Sequence, residues 1–377
     1  MLKNHEINNR KPLYINNFEN MKDPRRTTKG NYLHPLNEIL FLVISAVISG
    51  ADGWTSIEVF GKAKLSWLRE FMPYKNGIPS HDVLGKLFAR LSSKEFTTCF
   101  TNWVNSMSDL THGEVVAIDG KTIRNSNDDA DSKSAIHLVS AYASQNRLCL
   151  GQEAVHQKSN EITAIPKLLE TLAIKGCIVT IDAMGYQKKI EDSIIKKEAD
   201  YVLMVKGNQK NLKTQIEQSF KEKKISSCHS MDDFGHGRIE TRICDVIEDL
   251  SLLTKRGDWV NIKSIVRIKS HRTIKKTQKE STENRYYISS LSSDAEKINK
   301  TIRSHWSIEN NLHWNLDVVF REDASLKKKG NSPMNFNIIT KIALAKIELE
   351  KSIKMSKNSK RLRAALDDKY RTKIIKC

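Results

Sequence analysis

The sequence predicts an α/β protein: a mixed β-sheet with helices on its faces, behind a helical N-terminal part. Three observations carry this reading. Residues 31–110 space apolar side chains three and four apart, and from Glu114 short β-branched runs appear in the order βββαβαβα. Two of those runs, VVAI and CIVTI, are followed directly by aspartates, Asp119 and Asp182. Alternating strand and helix units require parallel strands covered on both sides, while the hairpin-rich start makes the sheet mixed.

The elements follow in chain order. Residues 1–30 are polar and Asn-rich and are expected to form a basic arm. Pro35 suits a first helical turn, the apolar run from Ile39 to Ile48 follows, and Gly50 and Gly53 stop it. That run is far shorter than the roughly 20 residues a membrane span needs, so it predicts a buried helix. Helical spacing recurs over 57–71 and 82–91, with Ser80 as an N-cap, which makes 31–110 a helical domain. Strands are expected at 114–118, 137–143 and 147–155, with Ser144, Gln145 and Asn146 turning between the last two. A helix over 163–173, a strand over 177–181, a helix over 186–199, a strand over 201–205 and a helix from Asn208 complete the alternation. The α/β domain is thus expected to span 111–223 and to resume at 294–353, with 224–293 as a β-rich insertion. After it come one long helix over 295–320 and another over 333–353. From Lys351 to the C-terminus there are ten Lys/Arg and two Asp, and 354–377 are expected to be a basic tail.

Composition narrows the function classes. Sixty-two Lys+Arg against 44 Asp+Glu leave a net charge of +18, which favours a polyanionic partner, nucleic acid or an acidic membrane face. A 39% hydrophobic content with 16 Gly and 7 Pro excludes a disordered or fibrous chain. No amphipathic basic helix with exposed aromatics supports a membrane role, and the N-terminus has no apolar targeting run, so the cytoplasm is the expected compartment. Six scattered cysteines without a C-x-x-C pair are expected to be reduced and structural.

A carboxylate at the end of a buried apolar strand is costly unless paired, hydrogen-bonded or metal-bound, and in open α/β sheets that edge is where ligands bind. Either aspartate alone also reads as a cap of the following turn, Asp-Gly or Asp-Ala-Met-Gly. A third acid, Glu309, sits in the gap of a helical stripe of Ile298, Ile302, Trp306, Leu312, Leu316 and Phe320. Three acidic oxygen donors suit Mg²⁺ or Mn²⁺, and two such ions can support in-line phosphoryl transfer. Asp317 is a rival, but on a continuous helix it lies about 12 Å farther along the axis than Glu309. Glu322 and Asp323 follow the expected helix end and read as capping or supporting residues. His305, Glu309 and His313 recur every four residues; a zinc site is disfavoured, because the two-His zinc motif spaces its histidines four apart. The two histidines read instead as hydrogen-bonded neighbours of the acid, or as groups that approach phosphate or orient Glu309.

Six sequence blocks are familiar together: AIDGKTIR at 117–124, KSNEITAIP at 158–166, TIDAMG at 180–185, DYVLMVKGNQ at 200–209, HWSIENNLHW at 305–314 and LDVVFRED at 316–323. In this order they resemble the DDE transposases of bacterial insertion sequences, in the subgroup of the H-repeat-associated proteins, over nearly the whole chain. The resemblance implies a ribonuclease-H-like catalytic core, with Asp119, Asp182 and Glu309 as the catalytic triad and as ligands of Mg²⁺ or Mn²⁺. It also implies DNA as partner, both element ends and target, with a homodimer on paired ends. Metal-dependent cleavage would release a 3′-hydroxyl that attacks target DNA. In a larger relative group the helix of the catalytic Glu carries an Arg four residues before it and a Lys seven after. Here those positions hold His305 and Leu316, so the hairpin chemistry tied to them does not carry over.

Lys121, Arg124, Lys206, Arg303 and Arg321, with His305 and His313, are the candidate DNA-binding residues, each with solvated surface as its alternative. Trp306 is expected in the core, with base stacking as the second reading for it and for Trp314. Two alternatives to an active transposase stand: a nuclease on the same core that cuts without joining, and an inactive or domesticated DNA-binding derivative.

Overall fold

The computed structural model of the protein describes residues 12–26, 32–127, 134–155, 161–182, 188–235, 237–254, 257 and 259–377. The helical part is built around α1 (Leu36–Ile48), in which every side chain but Asn37 is buried. Helices α2 (Trp54–Ala63), α3 (His81–Arg90) and α4 (Ser93–Met107) follow. Ser80 caps α3 by accepting from the Val83 N–H at 3.4 Å, and Ser92 caps α4 by accepting from Glu95 at 3.2 Å. The stretch expected as a basic arm joins this core where it is described: Tyr14, Ile15 and Phe18 are buried, and Phe18 meets Phe96 edge-on at 5.5 Å. Residues 1–11 and 27–30 of that expectation lie outside the described residues.

Strands β1 (Val115–Ile123), β2 (Ile136–Ala143) and β3 (Leu148–Val155) form an antiparallel meander. After α5 (Glu161–Thr171), β4 (Ile178–Ile181) pairs parallel to β1. After α6 (Lys188–Lys196), β5 (Asp200–Val205) pairs parallel to β4, and α7 (Lys210–Glu222) follows it. The resulting order, β3-β2-β1-β4-β5, is that of a ribonuclease-H-like mixed sheet. Both faces are covered, as alternation along the strands requires. Ile178 and Val202 turn to one face with Ile298 and Ile302, whereas Val179 and Leu203 turn to the other with Leu168 and Ile194.

The β-rich segment does not stand apart from this sheet. Its strands β6 (Ser227–Gly235), β7 (Arg238–Ile247), β8 (Ser264–Ile274) and β9 (Lys279–Ser289) continue it to nine strands, β9 joining antiparallel to β5 from Val202↔Ser289 to Val205↔Tyr286. The outer edge of β5 would otherwise present unpaired backbone groups, and β9 satisfies them.

The helix expected over 295–320 is broken. It consists of α8 (Ala295–His305), a π-helical turn over Ile308–His313 and α9 (Trp314–Val318). Ile308, Leu312 and Leu316 are buried, whereas Trp306, expected in the core, sits at the end of α8 and is 41% exposed. Helix α10 (Ser332–Leu349) packs along α1, and its Ile338, Ile339, Ile342 and Leu344 are buried in the shared core. The residues expected as a basic tail fold into α11 (Lys357–Leu366) and α12 (Asp368–Lys376), with Ala364, Tyr370, Ile374 and Ile375 in the core. Among the described residues no helix is long and apolar enough to cross a membrane.

Candidate active site

Asp119 lies within β1 rather than at its end. The strand runs on to Ile123 against β2, pairing Asp119 with Ser140, but its parallel partner stops: Ile118 is level with Ile181, the last residue of β4. Asp119 is therefore the first residue of β1 to pass the carboxyl end of β4, and Asp182 is the residue that follows β4. Adjacent strands sit about 4.8 Å apart, so the two aspartates leave neighbouring strands at the same edge, where ligands bind in open α/β sheets.

Glu309 reaches this edge from the π-turn. Asp119, Glu309 and His313 each bring one ligand atom within 4.8 Å of the others. His313 is 6% exposed, and its Nδ1 lies 3.4 Å from Glu309 Oε2 and 3.6 Å from Asp119 Oδ2. Burial, and then the Glu309 carboxylate against it, push the Asp119 carboxyl well above the usual range. The adjoining His313 imidazole holds Glu309 below its ordinary value, against the effect of burial. Two carboxylates this close keep a proton between them unless a cation offsets their charge, and no lysine or arginine pairs with Asp119 among the described residues. Two carboxylate oxygens and an imidazole nitrogen are a donor set that fits a divalent ion.

Asp182 does not join that cluster in this structure. Its Oδ1 lies 2.8 Å from Lys206 Nζ, with both side chains about half exposed. Together with Glu283, Arg285, His305 and Trp306 they rim a cavity of about 290 Å³ floored by Ile181, Val202 and Met204. His305 sits behind Asp182: its Nδ1 is 2.9 Å from the Thr180 hydroxyl, and burial holds its pKa below the usual histidine value.

The candidate DNA-binding cations divide by their partners. Lys121 is enclosed, 2.6 Å from Glu322, 2.7 Å from Asp317 and 3.7 Å from Asp323. Its charge is paired inside the protein in this structure. Arg303 pairs with Asp233, and Lys206 with Asp182. Arg124, 3.4 Å from Asp323, and Arg321, 3.8 Å from Asp52, keep 81% and 70% of their side chains exposed. Arg321 also holds a left-handed backbone, φ 54°, where the chain leaves α9.

A further pair flanks the site and was given no role by the sequence. His137 Nε2 lies 2.7 Å from Glu161 Oε1, and both press on Gly120, next to Asp119. A Cβ at Gly120 would run into the Glu161 carboxylate and come within 2.6 Å of His137 Nε2. The block KSNEITAIP contains Glu161, but nothing in its spacing shows that α5 starts over Gly120.

The family model described as Transposase DDE domain matches residues 111–345, and one described as DDE_Tnp_1-associated matches residues 15–104. "H repeat-associated putative transposase YhhI" of Escherichia coli (strain K12) is 40% identical over 362 residues, covering 94% of this chain and 95% of that protein. "Putative transposase YncI" of Escherichia coli O157:H7 is 40% identical over 354 residues, covering 92% and 90%.

Proposed function

The chain belongs to the DDE transposase family, in its H-repeat-associated type, and from that premise we propose that it cuts DNA at the ends of its own insertion sequence and joins them to target DNA. The observation that carries this reading is the meeting of Asp119, Glu309 and His313 at the sheet edge where Asp182 also leaves its strand. Asp119, Asp182 and Glu309 are assigned as the catalytic acids. These carboxylates would hold a divalent ion, Mg²⁺ or Mn²⁺, which would supply positive charge for phosphodiester attack by water and then by a DNA 3′-hydroxyl.

The chain's own residues prepare that attack. The rigid pairing of β1 with β2 and β4 fixes Asp119 and the start of Asp182, and the π-turn fixes Glu309 opposite them. Lys206 neutralises Asp182 in the absence of DNA; moving to a phosphate, it would free that carboxylate for the metal. Arg124 and Arg321, which keep most of their surface in solvent, are the cations best placed to take up backbone phosphates.

The test uses the purified protein and duplex DNA carrying the sequences that flank this gene. Mg²⁺- or Mn²⁺-dependent cleavage at the element ends, with joined products in a second duplex, is the expected result. Cleavage without joining assigns the chain to the nucleases, and binding without any cleavage assigns it to the inactive derivatives. Asp119→Asn, Asp182→Asn and Glu309→Gln should each abolish cleavage while leaving DNA binding; full activity in one of them removes that residue from the triad.

A further inference from the structure

We propose that His313 adds a nitrogen donor, beside Asp119 and Glu309, to the divalent ion of this edge, and that this nitrogen biases the site toward Mn²⁺ over Mg²⁺. The proposal rests on the metal-centre reading above and adds a ligand to it.

The geometry argues against a purely structural histidine. The Nδ1 distances of 3.4 and 3.6 Å to Glu309 and Asp119 exceed the roughly 2.7–3.2 Å of an N–H···O hydrogen bond. The other ring nitrogen, Nε2, is buried with no hydrogen-bond partner. An imidazole that is 6% exposed thus holds Nδ1 beside two carboxylates at more than ordinary hydrogen-bond length. A cation bound at Nδ1 would give that nitrogen a partner and offset the two carboxylates that face it, the three ligand atoms lying within 4.8 Å of one another.

The spacing suits one ion. Donors at about 2.0–2.2 Å from a metal stand about 3 to 4.4 Å from each other, and the two measured separations fall inside that interval. The π-turn that runs from Ile308 to His313 places Glu309 and His313 together, and such turns concentrate at functional sites. His305, the other histidine of this face, is engaged with Thr180 and is not the donor.

The donor type sets the metal preference. Mg²⁺ is held by oxygen and gives up its waters reluctantly, whereas an imidazole nitrogen is accepted readily by the later divalent ions and by Mn²⁺ better than by Mg²⁺.

Full-length protein titrated with Mn²⁺ and followed by electron paramagnetic resonance tests this directly, since a nitrogen bound to Mn²⁺ produces a ¹⁴N modulation in the pulsed spectrum. The expected result is Mn²⁺ binding that Asp119→Asn removes, with a ¹⁴N modulation that His313→Gln removes and His305→Gln leaves. Mn²⁺ affinity should also fall more than Mg²⁺ affinity in His313→Gln. If that variant does not fold, the modulation in the native and His305→Gln proteins still decides. Mn²⁺ bound in an Asp119-dependent site without nitrogen modulation, or with one that His305→Gln abolishes, overturns the His313 assignment alone. No Asp119-dependent Mn²⁺ at all overturns it together with the metal-centre reading.

Discussion

The ammonium of Lys121 donates to Glu322 across 2.6 Å, tying the strand that carries Asp119 to the turn that follows the Glu309 segment. Asp317 adds a second carboxylate at 2.7 Å, and Glu322 in turn accepts from the Asn337 amide of α10 at 2.6 Å. Only 13% of the Lys121 side chain and 5% of the Glu322 side chain are exposed. Lys121→Met leaves a buried carboxylate unpaired and should cost about 3–5 kcal/mol, read as a lower urea midpoint. Because its charge is already neutralised, the salt slope of DNA binding should not change. An unchanged midpoint with a slope smaller by about one unit would instead place Lys121 on a phosphate.

Gly120 sits under Glu161 and His137, one residue from Asp119. Gly120→Ala displaces the Glu161 carboxylate, the flexible end of a side chain, and with it the contact to His137 beside Asp119. Cleavage should fall, by less than the roughly 100-fold that a shift of about 1 Å in catalytic groups can cost, while the fold and DNA binding persist. Gly120→Ala combined with Glu161→Ala opens the space again and should recover part of the rate, a non-additivity expected of touching residues. A double variant no better than the single one would separate the Gly120 effect from Glu161.

Glu350 links α10 to the C-terminal helices. Burial raises its carboxyl, but the Ser352 hydroxyl and amide, the Tyr370 hydroxyl at 2.8 Å and Lys360 outweigh that and bring it down to about 2. The folded pKa is thus below the unfolded value of 4.5, so the stabilisation is complete above that value and is lost as pH falls toward 2. A urea midpoint measured from pH 6 to pH 3 should fall more steeply for the native chain than for Glu350→Gln. Parallel slopes would show that Glu350 contributes nothing to acid sensitivity.

How much of this was legible in the sequence depended on which interaction set each element. Short continuous β-branched runs marked β4 and β5, because both faces of these strands are covered: Ile178 and Val202 face one side, Val179 and Leu203 the other. The motif blocks marked Asp119, Asp182 and Glu309 as residues to place, and the structure puts Asp119 and Glu309 together while Asp182 lies against Lys206. The π-turn was not legible, since apolar residues three and four apart fit an α-helix and a locally widened one equally well, and Trp306, at the end of α8, is exposed where the stripe expected it buried. Nor does a strand pattern name its neighbour, so β6 to β9 read as an insertion although β9 completes the edge of β5. At the C-terminus, counting cations does not show which of them are paired inside, as Arg361 and Arg371 are.

The C-terminal case gives the sharpest separation of the two readings. Arg371 is fully buried, donates to the Ala364 carbonyl at 2.7 Å and stacks on Trp67 at 4.0 Å. Trp67 itself donates to Thr372 at 2.9 Å. Arg361 donates to the Val47 carbonyl at 3.0 Å, at the end of α1, and to the Val319 carbonyl just beyond α9. The guanidinium groups here close helix ends and cover aromatic rings, which is why so basic a segment folds inward. Deleting residues 354–377 exposes what Ile374, Ile375 and Tyr370 cover, and each fully buried large apolar side chain is worth about 1.5–3 kcal/mol. The truncated chain should therefore lose more than roughly 5 kcal/mol and melt far below the full chain, with the Val319 end of the Glu309 segment released. A truncated chain with an unchanged melting temperature and only a shallower salt slope for DNA binding would return these residues to the role of a solvated tail that tracks the backbone.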